Sequence, residues 1–232
     1  DWFNAHLELK ESIEQRQEAI RELSTDLEYR QQIRLFGLLY KGKPADTNEI
    51  REWAGSPSYY RKHTLLRIIP TVVSIINLIC IGSAIVGILP ATVPGGVFFC
   101  FVIFSSIFSK GITKLQATYG KKLQILSTYA DQILLTEKKE MNSPVLQQLK
   151  TELTSQNQTA SQAVRQLSKL MNALDQRSNL LMSTILNGLI FWELRQVMRI
   201  EKWKETHASD LPRWIETIGE IDAYCSLATF TY

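Results

Sequence analysis

The sequence is poor in residues that form disulfides or hold metals. It has three cysteines and three histidines among 232 residues. Because the number of cysteines is odd, and Cys80 and Cys100 both lie in an apolar stretch, we expect no disulfide framework and predict a reducing compartment. The histidines are far apart and none has a metal-ligand spacing to a cysteine or a carboxylate, so we predict no metal site.

Sequence motifs for catalysis are also missing. There is no G-x-x-x-x-G-K-[ST] loop to hold nucleotide phosphates, no G-x-S-x-G nucleophile turn and no H-E-x-x-H zinc motif. Many carboxylates stand four positions from a Lys or Arg, which is typical of ion pairs on the solvent face of a helix. We therefore predict no catalytic residue and no cofactor in this chain, which by itself is not expected to be an enzyme.

Charge is absent from one long block. No Asp, Glu, Lys or Arg occurs in the 42 residues from Ile68 to Ser109, although 21% of the sequence is charged. A helix crosses the hydrocarbon core with about 20 apolar residues, so the block has room for two helices, over 68–89 and 95–110. Turn residues from Pro90 to Gly96 separate them. Basic residues flank the block, which predicts a transmembrane hairpin (68–110) with both ends in the cytoplasm and an anchor in the inner membrane.

Burial in protein is the alternative for this block. A helix that is apolar on every side must be covered by something. A soluble helical oligomer would cover the hairpin between subunits, and the small residues of the block suit close packing in protein or in lipid. The sequence alone leaves both alternatives open.

The remainder of the chain has a helical pattern. Apolar residues recur every three or four positions, and no alternating strand pattern with hairpin turns occurs. The predicted fold class is all-α, a bundle of long helices with the apolar hairpin inserted. The predicted division is 1–67 as the N-terminal part of a helical core, 68–110 as the hairpin, and 111–232 as further long helices.

Apolar stripes predict which helix faces are buried. The first stripe lies in a single long helix that we predict over 11–32. A further continuous helical pattern covers about 179–206. The stripes are Ile13, Ile20, Leu23 and Leu27; Leu115, Tyr119, Leu123, Leu126, Tyr129 and Ile133; and Ala160, Val164, Leu167, Met171 and Leu174.

Capping residues predict where helices start. Each start pairs a capping residue with a carboxylate three positions on or with a proline inside the first turn. The pairs are Asp46 with Glu49, Ser56 with Pro57, Ser143 with Pro144, and Asp210 with Pro212.

A basic stripe lies near the end of the chain. Arg195, Arg199 and Lys202 follow at spacings of four and three, which places them on one face of a helix. They are candidate contacts to phosphate or DNA, since Lys and Arg neutralise phosphates. Glutamates are interspersed among them, and a mixed solvated surface is the alternative.

Two segments together resemble the MutS family of DNA mismatch-repair ATPases. "SIEQRQEAIREL" (Ser12 to Leu23) is similar to the I-x-x-R-x-x-A-[VI]-x-x-L helix of the MutS core, and "WIETIGEIDAYCSLATFTY" (Trp214 to Tyr232) to the L-D-x-L-x-S-L-A helix that precedes the ATPase domain. The matching positions are Ile13, Arg16, Ala19, Ile20, Leu23, Ile221, Asp222, Ser226, Leu227 and Ala228. Tyr224 stands where the family often has an aliphatic residue.

The resemblance implies a non-catalytic core and lever segment that couples nucleotide state to DNA binding. It implies that an ATPase domain follows Tyr232 in a longer, full-length protein, which would bind ATP and Mg²⁺, contact DNA and form a homodimer. The ends agree with this expectation, because Asp1 is not an initiator methionine and the final apolar pattern has no stop signal.

The sequence also departs from the family. The N-terminal α/β domain that reads mismatches and the strand-rich DNA clamp have no counterpart, so mismatch specificity does not follow from the resemblance. "FWE" at Phe191 to Glu193 matches the letters of the mismatch-reading motif, but its helical pattern turns Phe191 and Trp192 inward. A membrane-associated helical scaffold or sensor, unrelated to DNA repair, is the alternative function.

Overall fold

The computed structural model describes residues 10–39, 52–154, 159–175 and 179–231, and for 10–12, 39, 110, 114–128, 175 and 180 it describes the backbone alone. Within these ranges the regular elements are helices, and Thr154 and Thr159 form an isolated bridge. The named helices are α1 (Lys10–Thr25), α2 (Leu27–Leu39), α3 (Thr64–Ile85), α4 (Thr92–Lys138), α5 (Pro144–Glu152), α6 (Ala160–Asp175), α7 (Leu180–Ile190), α8 (Trp192–His207) and α9 (Leu211–Ala228). The all-α prediction is confirmed for this part of the chain.

The helices belong to two compact units, each built from separate stretches of chain. The first unit contains the described residues of Asp1–Ala54, Gln124–Gln166 and Ser209–Tyr232, and the second those of Gly55–Leu123 and Leu167–Ala208. The helices α1 and α9 thus lie in the first unit, and the apolar hairpin lies in the second. The helices α4 and α6 contribute residues to both units, and the division into 1–67, 68–110 and 111–232 stays a prediction.

Burial confirms the predicted stripe on α6. Its five members, from Ala160 to Leu174, are at most 4% exposed. Burying a side chain of the size of Leu or Val contributes roughly 1.5–3 kcal/mol. In the Leu115–Ile133 stripe, Ile133 is buried and Tyr129 is half-buried, while the other four side chains lie outside the described part.

The single helix predicted over 11–32 is wrong, because the chain breaks at Asp26 into α1 and α2. The Asp26 carboxylate caps α2 by accepting the backbone N–H of Tyr29 at 2.9 Å, and it also pairs with Lys139. An N-cap carboxylate satisfies an amide that has no partner inside the helix. The predicted stripe does not continue across this break, and Leu27 is 58% exposed.

The apolar hairpin has earlier boundaries than those predicted. Its helices are α3 and the stretch Thr92–Ser109 of α4. Gly87 ends α3 with φ +81°, and the N–H of Ile88 donates to the carbonyl of Ser83 at 2.9 Å. This is the Schellman arrangement, in which glycine takes the left-handed position. Pro94, predicted in the turn, lies in the first turn of α4, where its missing N–H leaves no hydrogen bond unmade.

Two of the predicted helix starts are confirmed, and one is wrong. α5 begins at Pro144 and α9 at Leu211, each with proline in the first turn. Ser56-Pro57 starts no helix, and the segment 57–63 consists of turns and irregular backbone. The Asp46 capping box lies outside the described residues.

Replacing Asp26 by alanine should loosen the start of α2. Loss of an N-cap costs about 1–2 kcal/mol, so the Tyr29 amide should exchange hydrogen faster by about tenfold. Hydrogen bonds from Lys139 and from the Tyr29 N–H lower the pKa of the Asp26 carboxyl. Its stabilising contribution is therefore complete at neutral pH and is lost as the pH falls through that lowered pKa.

The matched control is Asp131→Ala, which removes an exposed ion pair to Arg165 at 3.0 Å. Exposed pairs contribute less than about 1 kcal/mol, so exchange at Tyr29 should not change. Equal effects of the two variants on the Tyr29 amide would contradict the capping role of Asp26.

Candidate functional site

The second unit carries an extended apolar surface. An 18-residue stretch of α3 has a mean hydropathy of 2.2 with 17% of its residues buried, and Thr92–Ser109 has a mean hydropathy of 1.8 with none buried. Both helices are long and apolar enough to cross a membrane. A core helix of a soluble protein meets the same criterion but is mostly buried, which these two helices are not. We call their exposed apolar side chains, together with those of α7, the apolar surface.

A third helix contributes to this surface. α7 contains the short apolar stretch Leu181–Ile190. Leu181 is 79% exposed, and Met182 and Ile185 are about half exposed. The continuous helical pattern predicted over 179–206 did not reveal the part that this stretch has in the surface.

The helical pattern predicted over 179–206 is interrupted at Phe191, which separates α7 from α8. Phe191 adopts φ +52° and ψ 52°, the left-handed conformation, and its side chain is 1% exposed. The ring packs among Phe101, Phe104 and Phe108, with centroids 5.9–6.4 Å away. Burial in this aromatic cluster offsets the cost of an unfavourable backbone conformation.

Asn77 links α3 to the end of α7. Its Nδ2 lies 3.0 Å from the carbonyl oxygen of Gly188 and 3.1 Å from that of Leu189. The last carbonyls of a helix have no partner within it. Asn77 is 4% exposed and lies near the middle of α3, so it satisfies these carbonyls where water is excluded.

The start of α8 is held by side chains of α7. The Asn187 Oδ1 accepts the backbone N–H of Glu193 at 3.0 Å. The Ser183 hydroxyl donates to the Glu193 carboxylate at 3.0 Å, and this carboxylate is buried. Both ends of the break therefore have polar partners supplied by neighbouring side chains.

Arg195, one of the three predicted phosphate contacts, is engaged within the protein. Its Nε donates to the carbonyl of Ile190 at 2.9 Å, and its Nη2 donates to the carbonyl of Pro70 and to the Ser74 hydroxyl, each at 2.8 Å. Arg199 and Lys202 are exposed. Phosphate contact stays a prediction for the stripe, and the observed role of Arg195 is to join α8 to α3.

A buried glutamate anchors the segment before α3. The Glu201 carboxylate accepts the backbone N–H groups of Tyr59, Tyr60 and Arg61 at 2.7–3.1 Å and is 5% exposed. These amides donate to a carboxylate instead of forming helical hydrogen bonds, which explains why no helix starts at Pro57. Burial and the Glu201 charge raise the pKa of Tyr60.

Two further contacts fasten α8 to the same segment. Arg61 Nε lies 2.8 Å from the Glu205 carboxylate. The Lys204 ammonium donates to the Ser56 carbonyl and hydroxyl at 2.7 and 2.9 Å, and burial lowers its pKa. The segment is therefore tied to α8 by three side chains that lie within little more than one turn of that helix, those of Glu201, Lys204 and Glu205.

The motif positions of the two segments that resemble MutS motifs lie in α1 and α9, in the first unit. These two helices are in contact. Four motif residues are at most 1% exposed: Ala19, Leu23, Ile221 and Ala228. Ile20, Arg16 and Leu227 are half-buried, and Ile13, Asp222 and Ser226 are exposed.

A cleft of about 380 Å³ opens beside the end of α9. Its lining includes the motif residues Asp222 and Ser226 and the side chains of Arg30 and Arg34. Cys225 also lines it, but burial raises the pKa of the thiol to about 12, so the thiol is protonated and unreactive at neutral pH. Among the described residues no three His, Cys, Asp or Glu side chains gather to hold a metal ion.

Comparison of the chain with family models, with curated proteins and with solved structures finds no match.

Gly188 provides a test of the packing at the break. A Cβ added there would lie 2.7 Å from Cγ2 of Val102 and closer still to the Phe98 ring. Gly188→Ala should therefore destabilise the second unit by about 1–3 kcal/mol and lower its midpoint of thermal unfolding in detergent micelles.

Gly82→Ala is the matched control on α3. An added Cβ at Gly82 has nothing within 4 Å, so this variant should unfold at the same temperature as the unmodified protein or a little higher. If Gly188→Ala unfolds like Gly82→Ala, the close approach of α7 to α4 is absent in the protein.

Proposed function

We propose that this chain is the helical core and lever segment of a MutS-like ATPase, and that the hairpin of α3 and α4 anchors it in a membrane. In the full-length protein the segment would couple nucleotide state to DNA binding. ATP and Mg²⁺ would bind the ATPase domain, and the full-length protein would act as a homodimer on DNA.

The contact between α1 and α9 supports the MutS-like part of the proposal. The two motif segments are about 200 residues apart in the sequence. Two helices of one core must pack together, and α1 and α9 meet this requirement. Buried motif residues on both helices agree with a role in that packing.

The apolar surface supports the membrane part. Apolar area exposed to water is costly at about 25 cal/mol per Å², and monomeric soluble proteins rarely leave a patch of this extent uncovered. Basic and aromatic residues immediately before α3 and in its first turn, among them Tyr59, Lys62 and Arg67, are exposed, as is typical of the membrane interface.

A membrane-associated helical scaffold unrelated to DNA repair is the second candidate. The apolar surface favours it as much as it favours an anchored ATPase, because the surface is independent of the motif segments. A soluble oligomer that buries the hairpin between subunits is the alternative to insertion.

Insertion can be tested with Cys100, which is exposed on the apolar surface. A full-length protein with Cys80→Ser and Cys225→Ser should resist a high-pH carbonate wash. Its Cys100 should react with a water-soluble maleimide only after the protein is denatured in SDS, because the lipid around an inserted hairpin excludes the reagent.

Two controls accompany this labelling. A protein lacking 68–109 should wash off the membrane, and a cysteine introduced at the exposed Ser209 should react without detergent. Labelling of Cys100 in intact membranes would contradict insertion. Protection of Cys100 in a protein that washes off would indicate a soluble oligomer.

Coupling can be tested at Ala19, which is fully buried on α1. Ala19→Leu should overpack the buried face of α1 and cost about 1–3 kcal/mol of packing. We expect the full-length variant to hydrolyse ATP without DNA as before, while the change in DNA affinity on ATP binding falls at least fivefold.

Glu18→Leu is the control, because Glu18 is exposed on the same helix and the variant receives the same new side chain. It should keep the ATP-dependent change in DNA affinity. A full-length protein that neither binds ATP nor carries a Walker A loop would overturn the MutS-like proposal and favour the scaffold.

A further inference from the structure

We propose that four exposed cationic side chains at the start of the hairpin bind the phosphate groups of anionic phospholipids. They are Lys62, Arg67, Arg199 and Lys202, and we call them the basal patch. The inference rests on the proposed membrane insertion and names the lipid class that the anchor would select.

The contacts of neighbouring α8 residues show which part of α3 lies beside Arg199 and Lys202. Arg195 reaches Pro70 and Ser74 inside α3, whereas Glu201 holds residues 59–61 ahead of it. Arg199 lies between Arg195 and Glu201 on α8, about 6 Å from Arg195 along the axis. Arg199 and Lys202 therefore lie beside the segment where the chain enters α3, which also carries Lys62 and Arg67.

The glutamates near the patch are already occupied. Glu201 is buried and accepts three backbone N–H groups, and Glu205 is paired with Arg61 at 2.8 Å. The Glu205 side chain is 42% exposed, but its charge is balanced by Arg61, so it does not cancel the charge of the patch. The exposed charge at the start of α3 is consequently positive.

The neighbouring apolar side chains favour lipid over DNA as the source of the phosphates. Leu65 is 77% exposed and Ile68 is 52% exposed, so the apolar surface begins within one helical turn of Lys62 and Arg67. A phospholipid offers a phosphate next to a hydrocarbon chain and satisfies both features. A DNA duplex offers phosphates alone and would leave the apolar side chains against water.

The test is lipid selection by the purified chain in detergent. An equimolar mixture of short-chain phosphatidylglycerol and phosphatidylcholine is added, and native mass spectrometry counts the bound molecules of each. A basic residue near an anionic surface strengthens binding about fivefold. We therefore expect a preference for phosphatidylglycerol that falls at least tenfold in the double variant Arg199→Gln, Lys202→Gln.

The matched control is Lys138→Gln, Lys169→Gln, which removes the same charge from exposed positions elsewhere on α4 and α6. This control should keep the preference. No preference in the unmodified chain, or an equal loss in both double variants, would overturn the basal patch.

A carbonate wash separates this failure from failure of the anchor. If the proteins stay in the membrane but show no lipid preference, insertion holds and the patch proposal is wrong; if the unmodified protein washes off, insertion itself is wrong. A gel shift with duplex DNA completes the set. Loss of DNA binding in the patch variant with the lipid preference retained would assign the basal patch to nucleic acid.

Discussion

The second unit depends on hydrogen bonds to a broken helix in apolar surroundings. The last four carbonyls of α7 all have partners: the backbone N–H of Phe191 for one, Asn77 for two and Arg195 for the fourth. A buried carbonyl without a partner costs about 1–3 kcal/mol. In lipid such groups cannot turn to water, so irregular backbone persists only where protein satisfies it. Asn77 and Arg195 make the break compatible with the apolar surface around it.

The same contacts determine how the hairpin is attached to its unit. α8 contacts α3 through Arg195 and contacts the segment before α3 through Glu201. Each contact joins a charged side chain to backbone groups, and such charge-assisted hydrogen bonds are stronger than neutral ones. Contacts to backbone groups also do not depend on the identity of the partner side chain. The exposed side chains of α3 thus remain available to meet lipid, since they carry no part of this attachment.

The sequence predicted the features that depend on local pattern. The helical class, the existence of the hairpin and the buried stripe of α6 follow from hydrophobic period, and all agree with the structure. The starts of α5 and α9 follow from proline in the first turn, since neither Ser143 nor Asp210 makes a side-chain cap. The breaks at Asp26 and Phe191 were missed because the periodicity continues through them. At Asp26 a signal was present, since "STDLE" contains residues that favour caps. At Phe191 the local side chains Asn187 and Ser183 hold the start of α8, but the carbonyls that end α7 are held by Asn77, more than 100 residues away, which no local pattern reveals.

The basic stripe of α8 shows what spacing can and cannot predict about a site. Spacings of four and three placed Arg195, Arg199 and Lys202 on one helix face. Spacing does not predict, however, which of these side chains contact protein and which contact solvent. In the structure the stripe crosses a boundary: Arg195 is half-buried against α3, and the other two are exposed beyond it. One helix face thereby passes from buried hydrogen bonding to exposed positive charge within two turns. Such a change in polarity along a helix is what a membrane interface requires, and it links the two proposals made for this unit.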